Sequence, residues 1–153
     1  MPILDAHTSD VTFREVTLGS PEYQGAIRLR EEILRKPLGL VLSAEEMAVE
    51  PECRHFVGLA GKQVVATLLL KPLDSQTVKM RQVAVAPTMQ RTGIGAGLVG
   101  FAEAAARDFG FTKIVAHARE TAVLFYQRLG YAAEDGTFLE NTIPHRLVSK
   151  TLG

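Results

Sequence analysis

The hydrophobic and polar positions change period along the chain, and each change marks an element. Val11-Thr12-Phe13-Arg14-Glu15-Val16 alternates weakly and predicts a first strand. Ser20-Pro21 then gives a helix start, with Ser as N-cap and Pro at the first helical position. Ala26, Leu29 and Ile33 recur at helical spacing, so this helix is expected to run to about Leu34 before Pro37 ends it. Ser43-Ala44-Glu45-Glu46 fits a capping box for a short second helix, stopped by Pro51. His55 to Leu59 and Gln63 to Leu70 are strand-like apolar runs joined by the turn Gly61-Lys62, and Pro72 to Gln76 turn the chain into a third run, Thr77 to Val85. Three strands with short turns predict an antiparallel meander.

The stretch from Arg81 to Phe109 organises the rest. Val83-Ala84-Val85 reads as a buried strand, and Pro87 stops it. After a loop around Gly93 and Gly95, residues Ile94, Leu98, Phe101, Ala102, Ala105 and Phe109 fall on one helical stripe, with Gly110 as the expected C-terminal cap. A strand therefore feeds a glycine loop that feeds a helix N-terminus. That end carries unpaired N–H groups and about half a positive charge, a ready site for phosphate or pyrophosphate. Glycine at 93 and 95 would let a ligand approach the backbone. A further strand, Lys113 to Ala118, and a helix, Thr121 to Leu129 with Gly130 as cap, follow. Strand–helix–strand–helix order predicts parallel pairing at this point. Short strands at Tyr131 to Glu134 and His145 to Thr151 would complete one central sheet of a mixed α/β fold, with residues 1 to 10 as a loose lead-in.

Composition narrows the picture. The 153 residues fit one domain. Lys+Arg and Asp+Glu both number 17, which gives no support to nucleic acid or a membrane surface as partner. No apolar run is long enough to span a membrane and the N-terminus lacks a signal-peptide layout, so a cytoplasmic setting is expected. Cys53 is the lone cysteine and no histidine pair has zinc spacing, so neither disulfide nor metal is expected. A rival phosphate motif, Gly95-Ala96-Gly97-Leu98-Val99-Gly100 with Glu120 beyond, fits the dinucleotide fingerprint in letters. Its first glycine should follow the strand directly, whereas Pro87 and Arg91 intervene here, and Gly97 and Gly100 would serve close packing inside the helix. A P-loop is excluded because no G-K-[ST] follows.

Gln90-Arg91-Thr92-Gly93-Ile94-Gly95 resembles the coenzyme A pyrophosphate loop of the GNAT acetyltransferase superfamily, a Gln/Arg start followed by two spaced glycines. Downstream, Phe125-Tyr126-Gln127-Arg128-Leu129-Gly130-Tyr131 resembles that superfamily's F-Y-x-x-L-G-F/Y segment. The resemblance runs from about Val11 to Leu152, and the blocks KMRQVAV, HARE and IPHR resemble a small bacterial ElaA-like branch. It implies a single mixed sheet with an antiparallel N-terminal meander, parallel pairing at a splayed centre and flanking helices. It also implies an N-acyltransferase that moves an acetyl group from acetyl-coenzyme A to an amine by direct attack, without a metal. The acceptor would be a small molecule or a peptide, and a homodimer stays open.

The same resemblance distributes roles. Val83, Ala84 and Val85 would pair their backbone with the pantetheine arm. Gln90, Arg91, Thr92, Gly93, Ile94, Gly95 and Ala96 would hold the pyrophosphate, with Phe125 alongside. Tyr126 would protonate the departing thiolate; a phenol of pKa about 10 stays protonated where a thiol of about 8.5 leaves. By its position alone Tyr126 would instead be a packed rim tyrosine. The superfamily often has a glutamate on the Thr77 to Val85 strand as general base, and none is present here. Arg119-Glu120-Thr121-Ala122 stands where an asparagine is usual, leaving Arg119 either a cofactor contact or an ion-pair member. The base is unassigned among Glu140, His145 and a water chain; His55 and His117 read as satisfied core histidines. The alternatives are a non-catalytic coenzyme A-binding sensor and, further off, a dinucleotide-binding oxidoreductase.

Overall fold

The computed structural model describes residues 10–153, so all of the expected lead-in except Asp10 lies outside the described residues. Strands β1 (Val11–Val16), β2 (Arg54–Ala60), β3 (Gln63–Pro72) and β4 (Thr77–Val85) form the antiparallel meander. Strand β5 (Lys113–Arg119) joins β4 in parallel. The last strand, Ile143–Thr151, runs antiparallel to β5, and the short strands Ala132–Ala133 (β6) and Phe138–Glu140 (β7) both pair with it. It is β8 in chain order. The helices are α1 (Pro21–Arg30), α2 (Ala44–Ala48), α3 (Ile94–Asp108) and α4 (Val123–Arg128). This is the single mixed sheet expected, with helices on its flanks. β7 is an element that the pattern of apolar positions did not mark.

The sheet is covered unequally. On one face Leu68, Leu70, Val78 and Met80 pack with Ile94 and Leu98 of α3 in the main core. On the other, α1 contributes a small cluster of Ala26 against Val57 and Leu59. Val65 to Leu70 of β3 are all buried, the continuous run of a strand covered on both faces. Each such aliphatic side chain contributes about 1.5–3 kcal/mol.

Three expectations need correction. The first helix is α-helical only to Arg30; Glu31–Arg35 form a π turn, closed by the Lys36 N–H on the Glu31 carbonyl, and Lys36–Leu38 a 3-10 turn. The extra residue in the π turn brings Arg35 round toward the side that Arg30 already buries. On α3, Phe101 and Phe109 are not in the buried stripe: they are 39% and 40% exposed, while Val99, Glu103 and Ala106 are buried in their place. The helix overhangs the β1–β2 edge, where Phe101 meets Phe13 and Phe56 and the Arg54 guanidinium lies 3.5 Å over the Phe109 ring. Gly97 does serve close packing, since a Cβ there would come within 2.7 Å of the Phe13 ring, but nothing lies within 4 Å of one at Gly100.

Two features open the sheet. Between β3 and β4 the register steps from Thr67↔Ala84 to Leu69↔Arg81, so Gln82 and Val83 together face Leu68. That is a bulge, and Gln82 has φ 53 within it. Between β4 and β5 pairing ends at Met80↔Ala116, although β4 stays paired with β3 to Val85 and β5 with β8 to Arg119. Beyond Met80 the two parallel strands diverge, and a cleft fills the angle between them.

Candidate active site

The cleft has a volume of about 160 Å³ and opens on the α1 side into a groove of about 770 Å³. Alternation along β5 explains which side chains reach it. Ile114, Ala116 and Ala118 are buried toward α3; Val115, His117 and Arg119 point the other way. His117 is therefore no core histidine. Its Nδ1 lies 2.9 Å from Glu140 Oε1, and His145 Nε2 lies 3.7 Å from the other oxygen of the same carboxylate. Glu140 comes from β7 and His145 from β8. The turn between them, Asn141-Thr142, has φ 51 and 64, both positive as a two-residue hairpin requires, and it holds Glu140 at the cleft.

The hydrogen-bond partners fix the imidazole tautomers. Ile143 O can only accept, so His145 Nδ1 donates to it at 2.7 Å and keeps its lone pair on Nε2. The Glu140 carboxylate likewise makes His117 Nδ1 the donor and leaves Nε2 as the basic nitrogen. Burial would raise the Glu140 carboxyl, but the hydrogen bond and charge of His117, then His145 and Lys79, hold it below its usual value. A carboxylate held that low accepts a proton poorly. It is better suited to steadying a cation on His117. His117 thus joins Glu140 and His145 as a candidate base beside the cleft.

Tyr126 stands on α4 at the cleft floor and is 6% exposed, not a rim residue. Its ring meets Phe125 and Tyr131 edge-on at 5.1 and 5.5 Å. Burial pushes its phenol well above the ordinary value, so the hydroxyl holds its proton. Val83 lines the cleft beside it, and Ala84 is buried. The edges of Val83, Ala84 and Val85 that face β5 have no ladder partner there.

Past Val85 a 3-10 turn, Pro87–Met89, leads to the glycine loop. Gln90 Nε2 donates to Val85 O at 3.1 Å, and Thr92 Oγ1 to Met89 O, which ties the loop to the strand end. Arg91 (φ 65) and Gly93 (φ 86) are exposed with left-handed backbone. The first i→i−4 bond of α3 is Gly97 N to Gly93 O at 2.9 Å, so the N–H groups of Ile94, Gly95 and Ala96 precede it and stay available. These donors at the positive end of a fifteen-residue helix fit a pyrophosphate. A Cβ at Gly95 would meet Val85 Cγ2 at a tight 3.2 Å and the Phe125 ring at an ordinary 3.6 Å, so this glycine also eases the packing of α3 on β4.

Among the described residues Arg119 forms no ion pair. Its guanidinium donates to Leu34 O at 3.3 Å and bridges the cleft to the π turn. That carbonyl also receives Arg35 Nη1 at 3.0 Å. In place of a strand glutamate, Gln82 joins two ion pairs. Arg30 Nε donates to its Oε1 at 2.6 Å, and its Nε2 donates to Glu46 Oε2 at 3.1 Å. Arg30, fully buried, forks onto both Glu50 oxygens at 2.9 and 3.0 Å, with Tyr23 Oη on the same carboxylate at 2.8 Å. Arg35 forks onto Glu46, which also completes the capping box with Ser43. His55 bonds the Glu50 carbonyl through Nε2 at 2.9 Å, a satisfied core histidine. Gln82 and the Arg30–Glu50 pair escaped the sequence because their partners are 20 to 52 residues apart. His117 did not have to escape, since the alternation of Lys113 to Arg119 already put it opposite the core.

Among the described residues no helix is long and apolar enough to cross a membrane, and no group of three or more His, Cys, Asp or Glu could hold a metal. A family model described as the Acetyltransferase (GNAT) family matches residues 20–131. The uncharacterized N-acetyltransferase YjcF of Bacillus subtilis is 27% identical over 130 residues, 84% of this chain and 92% of its own. The uncharacterized protein YyaT of the same organism is 27% identical over 104 residues, 68% of this chain and 70% of its own. A GNAT family acetyltransferase from Elizabethkingia anophelis, solved with acetyl-coenzyme A bound, superimposes with a TM-score of 0.72 at 20% identity. The match covers 93% of this chain and 98% of that one, a likeness of fold. With the family model spanning most of its length and the fold in agreement, the chain belongs to the GNAT acetyltransferase family.

Proposed function

We propose that this chain transfers an acetyl group from acetyl-coenzyme A to the amine of a small-molecule or peptide acceptor by direct attack. One observation carries the reading. The angle between β4 and β5 has free helix N–H groups at its outer end, Tyr126 at its floor and the His117–Glu140–His145 cluster on its far side. Acetyl-coenzyme A supplies the activated thioester. Ile94, Gly95 and Ala96 N–H hold its pyrophosphate, with Arg91 beside them, and Val83 to Val85 pair with the pantetheine amides. His117 Nε2 takes the proton from the amine. That task matters, because presenting an amine of pKa about 10.4 in neutral form at pH 7 costs roughly 4–5 kcal/mol. Glu140, hydrogen-bonded to His117 Nδ1, steadies the resulting positive charge. Tyr126 Oη gives its proton to the sulfur as the C–S bond breaks and the C–N bond forms, and it regains one from solvent.

The chain would act as one acyltransferase domain in a bacterial cytoplasm, and KMRQVAV, HARE and IPHR support the ElaA-like branch as its finer placement. Turnover of acetyl-coenzyme A against an amine panel tests the reading, with free thiol and acetylated amine followed together. Equal release of both is expected. Tight coenzyme A binding with no amine consumed would turn the reading into a coenzyme A sensor.

A further inference from the structure

We infer that the wide groove selects an amine that also carries an anionic group, a carboxylate or a phosphate, and an apolar arm. The amine part rests on the acetyl-transfer reading above; the anion part rests on separate residues. Along β4, Val78 and Met80 are buried toward α3, while Lys79 and Arg81 face the groove. Lys71 of β3 sits directly across the ladder from Lys79 and lines the same groove. Like charges directly opposite in a sheet repel. None of the three pairs with a carboxylate among the described residues. The acids lining the groove are engaged elsewhere: Glu46 by Arg35 and Gln82, Glu140 by the two histidines. Only Glu45 is left, on the exposed face of α2.

The groove thus concentrates Lys71, Lys79 and Arg81 on a partly buried wall, none of them in an ion pair, with the Glu140 charge already shared with two histidines. Burial, Arg81 and Lys71 together press the Lys79 amine below its ordinary value, against the pull of Glu140. An anion bound there would remove that penalty. On the acetyl-transfer reading coenzyme A does not supply it, since the helix N–H groups assigned to its phosphates lie beyond Val85, on the other side of the bulge. The mouth of the groove explains the apolar arm. Leu40, Val41 and Leu73 line it and are left 44%, 71% and 50% exposed. His117 and Glu140 border both spaces, so an amine reaching the base would leave its anion at Lys79 and Arg81.

Matched acceptors test this. L-Phenylalanine is set against L-phenylalaninamide for a carboxylate, and O-phosphoethanolamine against ethanolamine for a phosphate. The acidic member of one pair should have kcat/KM about ten- to a hundredfold above its neutral partner, the range of a charge-assisted contact. The pair that responds identifies the anion. In Lys79→Met and Arg81→Met, which keep apolar bulk, that ratio should fall to within about threefold, with unchanged melting temperature as the folding check. A neutral member preferred in both pairs, or a ratio untouched in both variants, overturns the inference. Equilibrium titration of the same four probes reads the anion site without turnover. If no amine is acetylated yet the acidic probes bind about tenfold tighter and lose this in the variants, the acetyl-transfer reading falls and the anion site stands. Equal binding of acidic and neutral probes overturns the anion site whatever the turnover.

Discussion

The two sides of β4 are made of different material. Toward α3 and its loop, the site is backbone: free N–H groups at 94 to 96, an unpaired strand edge, and glycines that set the turn and the packing. Toward α1, it is side chains drawn from five distant elements: Arg30, Gln82, Glu46, His117 and Glu140. A backbone site tolerates sequence change provided the chain path is kept, whereas a side-chain site changes specificity with each residue. Within this molecule, therefore, the cofactor side should be insensitive to distant substitutions, and the acceptor side should fail when its buried supports are removed.

The support with the largest expected effect is Glu50. Glu50→Gln leaves the fully buried Arg30 without its charge partner, and denaturant unfolding should show a loss of about 3–5 kcal/mol. The pH dependence gives a second reading. Burial alone would raise Glu50, but Arg30 first, then Tyr23 and His55, hold it below its ordinary 4.5. A depressed carboxyl contributes stability above its unfolded value and loses it as pH falls through the folded one. Melts from neutral pH to about pH 3 should therefore show an acid decline below the ordinary carboxylate range, shallower in Glu50→Gln. An unchanged midpoint and slope would mean that Arg30 is not held by this pair.

His117→Asn comes next. It removes the proposed base while keeping a polar group on β5. The turnover number should fall about 100- to 1,000-fold, the usual scale for general base catalysis, and the acid limb of the rate–pH profile should disappear. Retention of that limb would return the base to His145 or water.

Tyr126→Phe removes one oxygen and keeps the ring contacts with Phe125 and Tyr131. The turnover number should drop about 10- to 1,000-fold, because water can partly substitute, with little change in the Michaelis constant for acetyl-coenzyme A. A raised Michaelis constant at normal turnover would make the hydroxyl a binding contact.

How much of this was legible follows from range. The strands β1 and β4, the Ser20 N-cap and the Ser43–Glu46 capping box follow from neighbours within a few residues, and the structure has them at the expected positions. The glycine loop is local in the same way, so its path could be read from residues 90 to 96. The π turn could not be read, because nothing in Glu31–Arg35 differs in pattern from an α-helix; it follows from what Arg30 and Arg35 meet on α2 and at Glu50. The cluster around Glu140 was illegible for a different reason: only the pairing of β5 with β8 brings His117 and His145 to one carboxylate.

The smallest expected effect probes the backbone side. Gly95→Glu is a poor test of it, since the new Cβ would crowd Val85 at 3.2 Å and mix a packing effect with the charge effect. Arg91→Glu is cleaner. Arg91 is exposed, bears no load in the core and already has left-handed backbone, where the unbranched Cβ of Glu costs about what that of Arg does. Folding should not change. The substitution reverses one charge beside the N–H groups of Ile94, Gly95 and Ala96, and it leaves those donors in place. Coenzyme A affinity measured by calorimetry should fall about tenfold, or about 1.4 kcal/mol, and less at high salt because the site is open to solvent. An effect of a thousandfold or more would mean that the pyrophosphate depends on the arginine side chain, and the contrast between a backbone side and a side-chain side would fail. No effect at low salt would remove Arg91 from the site and leave the helix N-terminus to hold the anion alone.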